Sequence, residues 1–577
     1  MTAWRKNNVD KGIVRSISER YSCDLLTAYI LVNRGIVSDD AIPYFLSDDD
    51  ASLLRDPLTL PGIPDAIDRI FQAKAKREKV LIFGDRDVDG ITATVMLFDY
   101  LRCLGIEVSW RIPTGDEPYG LSIKAVEDFA AMGGSLIITV DCGISSIAEI
   151  RRANELGLSV IITDHHIPKD ELPSAATAII NPKLPYSSYP FCDISGCMVA
   201  YKLITALQDS LGKYGNPDFI FKEAEYLQLA ALGTIADIMP LKDENRIIVR
   251  KGLSALNKKP RKGIAELLLV LGISGKPIST EELSWLLCPV INAAGRMGCP
   301  EKAVELLLED DSQKRLLLAN EIKALNEKRK RLGTKTLPLA EKLASNNLER
   351  FSGKLAVAAG EDMNRGITGV IANRLIEKLH IPAMVVHLNE NLAIGSIRSP
   401  GNYDIRLLLE PLNDIILNYG GHEDALGFSM ERSLWEQYLD RLEIEIESIK
   451  PTEIPDKEIA EVDAELPHEY ISPDIFTLVD RFEPYGEGNK PLLFASTGLK
   501  ILDSCYLGKR KPKHLKFTLD TGIYKWPAIL WNGIEKLNDE LITGDKVDLL
   551  YTFNRNWYNG VERPEIIIMD ICKSSEK

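Results

Sequence analysis

From residue 80 onward, the apolar positions of this chain fall into short solid runs separated by longer periodic stretches. Val80-Leu81-Ile82-Phe83, Leu136 to Val140 and Val160-Ile161-Ile162-Thr163 read as buried strands. Ile91 to Leu104 carries apolar residues at helical spacing and stops at Gly105. Ser145 to Leu156 behaves alike and stops at Gly157. Strands alternating with helices predict parallel βαβ units joined by right-handed crossovers. In such sheets, function collects just beyond the carboxyl ends of the strands.

The pattern changes along the chain. Residues 1–55 predict a small helical segment, and residues 56–311 the parallel-sheet domain. Residues 312–346 are highly charged and strongly helical, and predict a connecting helix with Gly333 and Pro338 as candidate breaks. Residues 347–452 hold a second α/β unit. The stretch KPTEIPDKEIAE is rich in proline and charge, as domain boundaries are. Residues 453–577 are strand-like with turn signals and predict a small β-barrel.

Composition narrows the class without naming it. A length of 577 residues suggests roughly three or four domains. Hydrophobic content of 45% and charged content of 27% are those of a soluble globular protein. No apolar run approaches membrane-spanning length and no signal-peptide core is visible, so no membrane role and a cytoplasmic location are expected. The nine cysteines form no CxxC pair and are expected to be reduced thiols. A net charge of −15 argues against nonspecific coating of nucleic acid, yet an acidic metal site and a basic groove can coexist.

The chemistry sits where the strands end. After Phe83 comes Gly84-Asp85-Arg86-Asp87-Val88-Asp89-Gly90, after Val140 comes Asp141-Cys142-Gly143, and after Thr163 comes Asp164-His165-His166. Asp237, in the apolar stretch Gly233 to Pro240, reads as a fourth strand-end acid. Separately, each has a bland explanation. DxDxDG could be a solvated turn, Asp141 a helix cap, and Asp237 a partner of Arg246. Together, so many carboxylates at one sheet edge would repel by several kcal/mol, roughly, unless cations intervene. Two divalent ions about 3.5–4 Å apart would remove the conflict and activate a water for in-line attack on phosphorus. Mixed Asp and His ligands favour manganese, with magnesium the second choice.

Farther on, Gly420-Gly421-His422 could let backbone N–H groups approach an anion, and His422 could donate to a phosphate oxygen. Ser396 and Arg398 alternate on a strand and so share one face. From Thr497 to Lys577 there are 13 Lys and Arg against 11 Asp and Glu, so this segment is net basic in an acidic chain. Its run Lys509-Arg510-Lys511-Pro512-Lys513-His514-Leu515-Lys516-Phe517 and its tryptophans Trp526, Trp531 and Trp557 suit backbone tracking with base stacking. Most of those aromatics, taken singly, are barrel core.

In order, DxDxDG, VDCGIS, DHH and GTIAD resemble the motifs of the DHH phosphoesterase superfamily. Asn292-Ala293-Ala294-Gly295-Arg296, Ser396-Ile397-Arg398, Gly420-Gly421-His422 and Tyr485-Gly486-Glu487-Gly488-Asn489 extend the resemblance to its RecJ family of single-strand-specific 5′→3′ exonucleases. The resemblance implies a parallel-sheet DHH domain, a connecting helix, a DHH-associated substrate domain and an OB-like barrel. It implies Asp87, Asp89, Asp141, His165 and Asp237 as metal ligands, and Asp85 as a ligand or a support for one. It places His166 against metal or scissile phosphate, while Asp164 would orient a histidine. It implies Arg296, Ser396, Arg398, Gly420, Gly421 and His422 as substrate contacts. Single-stranded DNA, a single-stranded-DNA-binding protein and a helicase are the implied partners of a monomer acting in repair and recombination. The alternatives are a nanoRNase or cyclic-dinucleotide phosphodiesterase, and a non-catalytic strand-binding scaffold. Arg86, Thr114-Gly115 and Asn364 depart from the family pattern and put details of end recognition in question.

Overall fold

The computed structural model describes residues 3–47, 51–115, 117–211, 221–401, 403–422, 424–446, 459–508, 513–533, 541–558 and 561–574. It begins with strand β1 (Ala3–Arg5) and helices Lys11–Arg20, Leu25–Asn33 and Pro43–Leu46. The first sheet contains β2 (Lys79–Gly84), β3 (Glu107–Arg111), β4 (Leu136–Val140), β5 (Ser159–Thr163) and β6 (Ala178–Ile180). All five are parallel, in the order β3-β2-β4-β5-β6.

The solid apolar runs have a simple cause. Each central strand is covered on both faces. Val80, Ile82, Ile138, Val140 and Ile161 pack under helices Ile63–Lys76, Val88–Cys103 and Gly196–Leu211. The alternate residues Leu81, Phe83, Ile137, Val160 and Ile162 pack under helices Ile123–Ala131 and Ile147–Glu155. The sequence pattern missed β3 and β6. Glu107–Arg111 is a half-exposed edge strand, and Ala178–Ile180 is only three residues long.

Helix Ser312–Asn347 runs unbroken through Gly333 and Pro338. Pro338 faces solvent, where the carbonyl it cannot satisfy is open to water. Ala319 and Ile322 bury against the first domain and Ala340 and Ala344 against the second, so one rod joins two cores. The second sheet contains β7 (Ala356–Gly360), β8 (Ala383–Leu388), β9 (Leu392–Arg398), β10 (Ile416–His422) and β11 (Ala425–Glu431), in the order β10-β11-β9-β8-β7.

The last segment contains β12 (Ile459–Glu461), β13 (Ala464–Glu465), β14 (Phe494–Leu507), β15 (His514–Asp520), β16 (Lys525–Leu530), β17 (Lys546–Tyr558) and β18 (Val561–Lys573). Order β14-β15-β16-β18-β17, closed by β17 on β14, makes a five-stranded barrel. Most of the proline-rich boundary lies outside the described residues, and its end forms β12. The N-terminal helices are not a separate unit. β1 pairs with β12, and Val14, Ile17, Ile30 and Leu31 share one core with Phe494, Phe517 and Trp526 of the barrel segment. Among the described residues no helix is long and apolar enough to cross a membrane.

Arg246 locks this junction. Its fully buried guanidinium donates to the carbonyls of Tyr44, Arg481, Phe482, Glu483 and Pro484, and lies 4.1 Å from the Phe45 ring centroid. Among the described residues no bond joins it to Asp237. Replacing it with Met would leave several buried carbonyls unsatisfied, at about 3 kcal/mol. We expect Arg246→Met to lower the thermal midpoint and to split one calorimetric transition into two, with the barrel segment melting first.

Candidate functional site

Strand register assembles the site. Gly84 of β2, Val140 of β4 and Thr163 of β5 are aligned neighbours. The residues that follow them, Asp85, Asp141 and Asp164, therefore emerge at one level of the sheet edge. Backbone bonds continue the alignment, from Asp141 N to Thr163 O at 2.9 Å and from Asp164 N to Ile180 O at 3.0 Å.

Helix ends supply the remaining acids. Asp87 caps helix Val88–Cys103 by accepting from Gly90 N at 3.0 Å. Asp89, in the first turn, accepts from Gly196 N at 2.6 Å and Cys197 N at 3.0 Å, at the start of helix Gly196–Leu211. Asp237 does not follow a strand, contrary to the sequence reading. It ends helix Glu223–Ala236, whose apolar residues continue the helical period into Thr234-Ile235-Ala236.

Three groups of ligand atoms lie close together: Asp85, Asp87 and Asp141; Asp89, His165 and Asp237; and Asp141, His165 and His166. His165 Nε2 lies 3.2 Å from Asp141 Oδ1, 3.5 Å from Asp237 Oδ2 and 3.9 Å from Asp89 Oδ2. Asp164 stands behind them. It accepts from the backbone of Ile144, His165 and His166, and its Oδ1 lies 2.8 Å from His166 Nδ1.

The electrostatics are those of a site built for cations. Burial and then Asp87 push the Asp85 carboxyl up to about 7. Burial, Asp89 and Asp87 push Asp237 up to about 8. Asp89 is raised by burial and Asp87, and Asp141 well above its ordinary value by burial and by its four acidic neighbours. Burial opposes a charged His166, but the charge and hydrogen bond of Asp164 outweigh it and hold His166 up at about 9. Burial would raise Asp164; the His166 charge and hydrogen bond pull it below its ordinary value. Asp85 Oδ1, Asp141 Oδ1 and Asp237 Oδ2 are buried without a hydrogen-bond partner among the described residues. Such atoms are costly unless something binds them. Gly196 keeps the space clear, because a Cβ there would lie 2.5 Å from Asp141 Oδ1. The donor set and its orphaned oxygens fit divalent cations.

A cavity of about 460 Å³ opens beside Asp87, between the two α/β domains. Arg86, Arg296, Lys328 and Arg365 line it. Burial and Arg329 lower the Arg296 pKa while Asp87 partly restores it. Burial and then Arg296 press Arg398 down to about 10. Among the described residues, neither Arg296 nor Arg398 has an ion-pair partner. Ser396 Oγ lies 2.9 Å from Thr368 Oγ1, at the start of helix Thr368–Leu379, and a Cβ at Gly369 would lie 2.6 Å from Arg398 Nη2. That helix N-terminus therefore faces Ser396 and Arg398.

Gly420, Gly427 and Ser396 align across β10, β11 and β9, as do His422, Ala425 and Arg398. The His422 side chain and residues 509–512 of the basic run lie outside the described residues. The two domains touch at several places among the described residues, Arg365 Nη2 donating to Glu117 O at 3.5 Å in one of them. A Cβ on Gly366 would meet Arg296 O at 1.8 Å, and Lys169 lies 5.7 Å from the Tyr419 ring centroid.

Several site residues escaped the sequence reading. Tyr119 donates to Asp141 O at 3.2 Å, with His166 Nδ1 3.5 Å away. Asn292 Oδ1 accepts from Val88 N at 3.0 Å. Both belong to motifs visible in the sequence, yet only folding shows what they touch. Lys328 and Arg329 look like any solvated helix charge. The departures from the family pattern belong to the cleft wall. Arg86 donates to Glu117 O at 2.6 Å, Gly115 N donates to Gly298 O at 3.1 Å, and Asn364 caps the Arg365–Ile367 turn. In the barrel, Trp526 is core and donates to Ile471 O, whereas Trp531 is exposed beside His514.

Comparison with known proteins agrees with this arrangement. Residues 79–234 match the DHH family, N-terminal domain, residues 352–448 the DHHA1 domain, and residues 462–570 the RecJ OB domain. The chain is 34% identical to the single-stranded-DNA-specific exonuclease RecJ of Bacillus subtilis, over 99% of this chain and 71% of that protein. It is 32% identical to the Escherichia coli protein of the same name, over 89% and 90%. The crystal structure of Thermus thermophilus RecJ with Mn2+ superposes with a TM-score of 0.79 at 28% identity, covering 100% of this chain and 80% of that one. The same protein with Mg2+ gives a TM-score of 0.73 at 27% identity, covering 100% and 79%. With its carboxylate cluster, its three domains in order and relatives of this closeness, the chain belongs to the RecJ family of metal-dependent nucleases.

Proposed function

We propose that this protein removes mononucleotides from the 5′ end of single-stranded DNA with two divalent cations, manganese before magnesium. One observation carries the reading: a buried carboxylate cluster opens directly onto a cleft of cationic side chains. Asp85, Asp87 and Asp141 would hold one ion and Asp89, His165 and Asp237 the other, with Asp141 near both groups. When bound, the ions neutralise the carboxylates, acidify a water and counter the charge that develops on phosphorus. Every other part is protein. Arg296, Arg398, Ser396 and the start of helix Thr368–Leu379 would form a phosphate seat, with Arg398 Nη1 held by Ile397 O and Leu426 O and Nη2 beside the helix start. His166, held protonated by Asp164, donates to an oxygen of the scissile phosphate. The cleft walls approach at Gly366 and at Lys169–Tyr419, and a cleft narrowed in this way would admit one strand and reject a duplex. The barrel, with Tyr506, Tyr524 and Trp531 exposed, holds the trailing strand by stacking. A free 5′ tail of this kind arises in DNA repair and recombination.

The direct test is a long 5′-phosphorylated single strand incubated with manganese. Metal-dependent release of mononucleotides is expected, and its absence would overturn the reading. Cleavage confined to very short oligonucleotides would favour a nanoRNase. Asp141→Ala should cut turnover by at least roughly 10³-fold while strand affinity, measured by fluorescence anisotropy, stays within about twofold. Arg398→Ala should raise KM about thirtyfold for a 5′-phosphorylated strand and leave a 5′-hydroxyl strand unaffected, since a charge-assisted bond of about 2 kcal/mol is lost only in the first.

Protons and metal compete for the same oxygens. Asp85 and Asp237, raised to about 7 and about 8, keep protons in the folded metal-free chain that the unfolded chain has released. Their contribution to metal-free stability is full below the ordinary carboxylate range and is lost as pH rises through about 7–8. Metal binding releases those protons and so tightens over the same window. We expect manganese affinity to rise between about pH 6 and 8.5, with proton release seen as a buffer-dependent calorimetric heat. The gap in thermal midpoint between metal-bound and metal-free protein should widen in parallel.

A further inference from the structure

Helix Glu223–Ala236 ends in an unusual way. Ile238 N donates to Ile235 O at 3.2 Å and Met239 N to Thr234 O at 3.1 Å, a closing pattern whose left-handed position is normally glycine. Here that position is Ile238, at φ +56°. Among the described non-glycine residues with positive φ, it is the β-branched one; the others are Ser, Arg, Asp, His and Asn. A branched Cβ is strained in this region. Nothing in the core offsets the strain, because Ile238 is 69% exposed. A glycine would end the helix equally well, so the fold does not require the isoleucine side chain. Three residues on, the chain is fastened by Leu241 N donating to Glu487 O at 2.7 Å.

Ile238 follows Asp237, whose Oδ2 lies 3.5 Å from His165 Nε2 in the carboxylate cluster. Backbone strain held beside reacting groups points to function. We infer that Ile238 is a substrate contact, its side chain packing against the apolar face of the nucleoside whose phosphate lies at the cluster. This rests on the proposed function. Asp237 binds on the ionic side of the turn while Ile238 offers an apolar edge to the base or sugar on the other. A contact of this kind is indifferent to sequence, since every nucleoside presents an apolar face, and it holds the terminal nucleotide in line with the carboxylates.

The test separates contact from scaffold. Ile238→Gly and Ile238→Asn both tolerate the left-handed conformation, so the thermal midpoint should hold within about 2 °C or rise. Manganese affinity, read by calorimetry without substrate, should be unchanged. KM for a single-stranded oligonucleotide should rise roughly fivefold with loss of the apolar contact, and Ile238→Val should restore most of it. Unaltered KM and kcat in both variants would overturn the inference. So would weakened manganese affinity, which would assign Ile238 to positioning Asp237, or a large fall in midpoint, which would make the side chain structural. A wild-type chain that degrades no single strand would instead remove the proposed function, and this inference with it.

Discussion

Mutual repulsion among Asp85, Asp87, Asp89, Asp141 and Asp237 is the constraint around which the rest of the molecule is arranged. A pair of like charges 4 Å apart costs about 4 kcal/mol at an effective dielectric of 20. The protein answers with proton uptake, visible in the raised Asp85, Asp89, Asp141 and Asp237, and with two helix starts that each receive a carboxylate. Neither answer is complete, since three buried carboxylate oxygens have no hydrogen-bond partner among the described residues. Divalent cations would satisfy them, which ties metal, proton and stability together.

The cleft next to the cluster has the opposite field. Burial and the Arg296 charge press the Arg398 pKa down, and burial and Arg329 lower that of Arg296. A chain that is acidic overall thus concentrates positive charge in one wall, facing Asp87. A polyanion is drawn to that wall and is held off most of the remaining surface. Under the proposed function, adjacent regions of opposite sign would also orient the substrate, its phosphates on the arginines and the bond to be cut at the carboxylates.

Geometry of this quality needs rigid supports. The sheet supplies one through register. The Arg246 guanidinium supplies another, because one side chain spans the first domain, the N-terminal helices and the turn that precedes the barrel. The 36-residue helix Ser312–Asn347 supplies a third, anchored in both α/β cores. The two α/β domains also approach closely through backbone, where a Cβ on Gly366 would meet Arg296 O at 1.8 Å.

Local pattern was enough for much of this. Solid apolar runs marked β2, β4 and β5, because strands buried on both faces contain no polar positions. Acids placed directly after those runs had to converge, since parallel strands in register end at one level. The edge strand Glu107–Arg111 and the three-residue Ala178–Ile180 left no such trace. Asp237 was legible as a site residue and illegible as a helix end, because a short apolar stretch reads alike in strand and helix. The sequence by itself therefore determined which acids and histidines gather at the sheet edge and which strands lead into Asp85, Asp141 and Asp164. Tertiary structure alone decided that the N-terminal helices complete the barrel's core, that Arg246 binds carbonyls, that Lys328 and Arg329 join the cleft, and that Ile238 stands strained beside the cluster. Periodicity reports the burial of a face, whereas a pairing such as that of Arg246 with Tyr44 O and Phe482 O depends on partners more than 200 residues away.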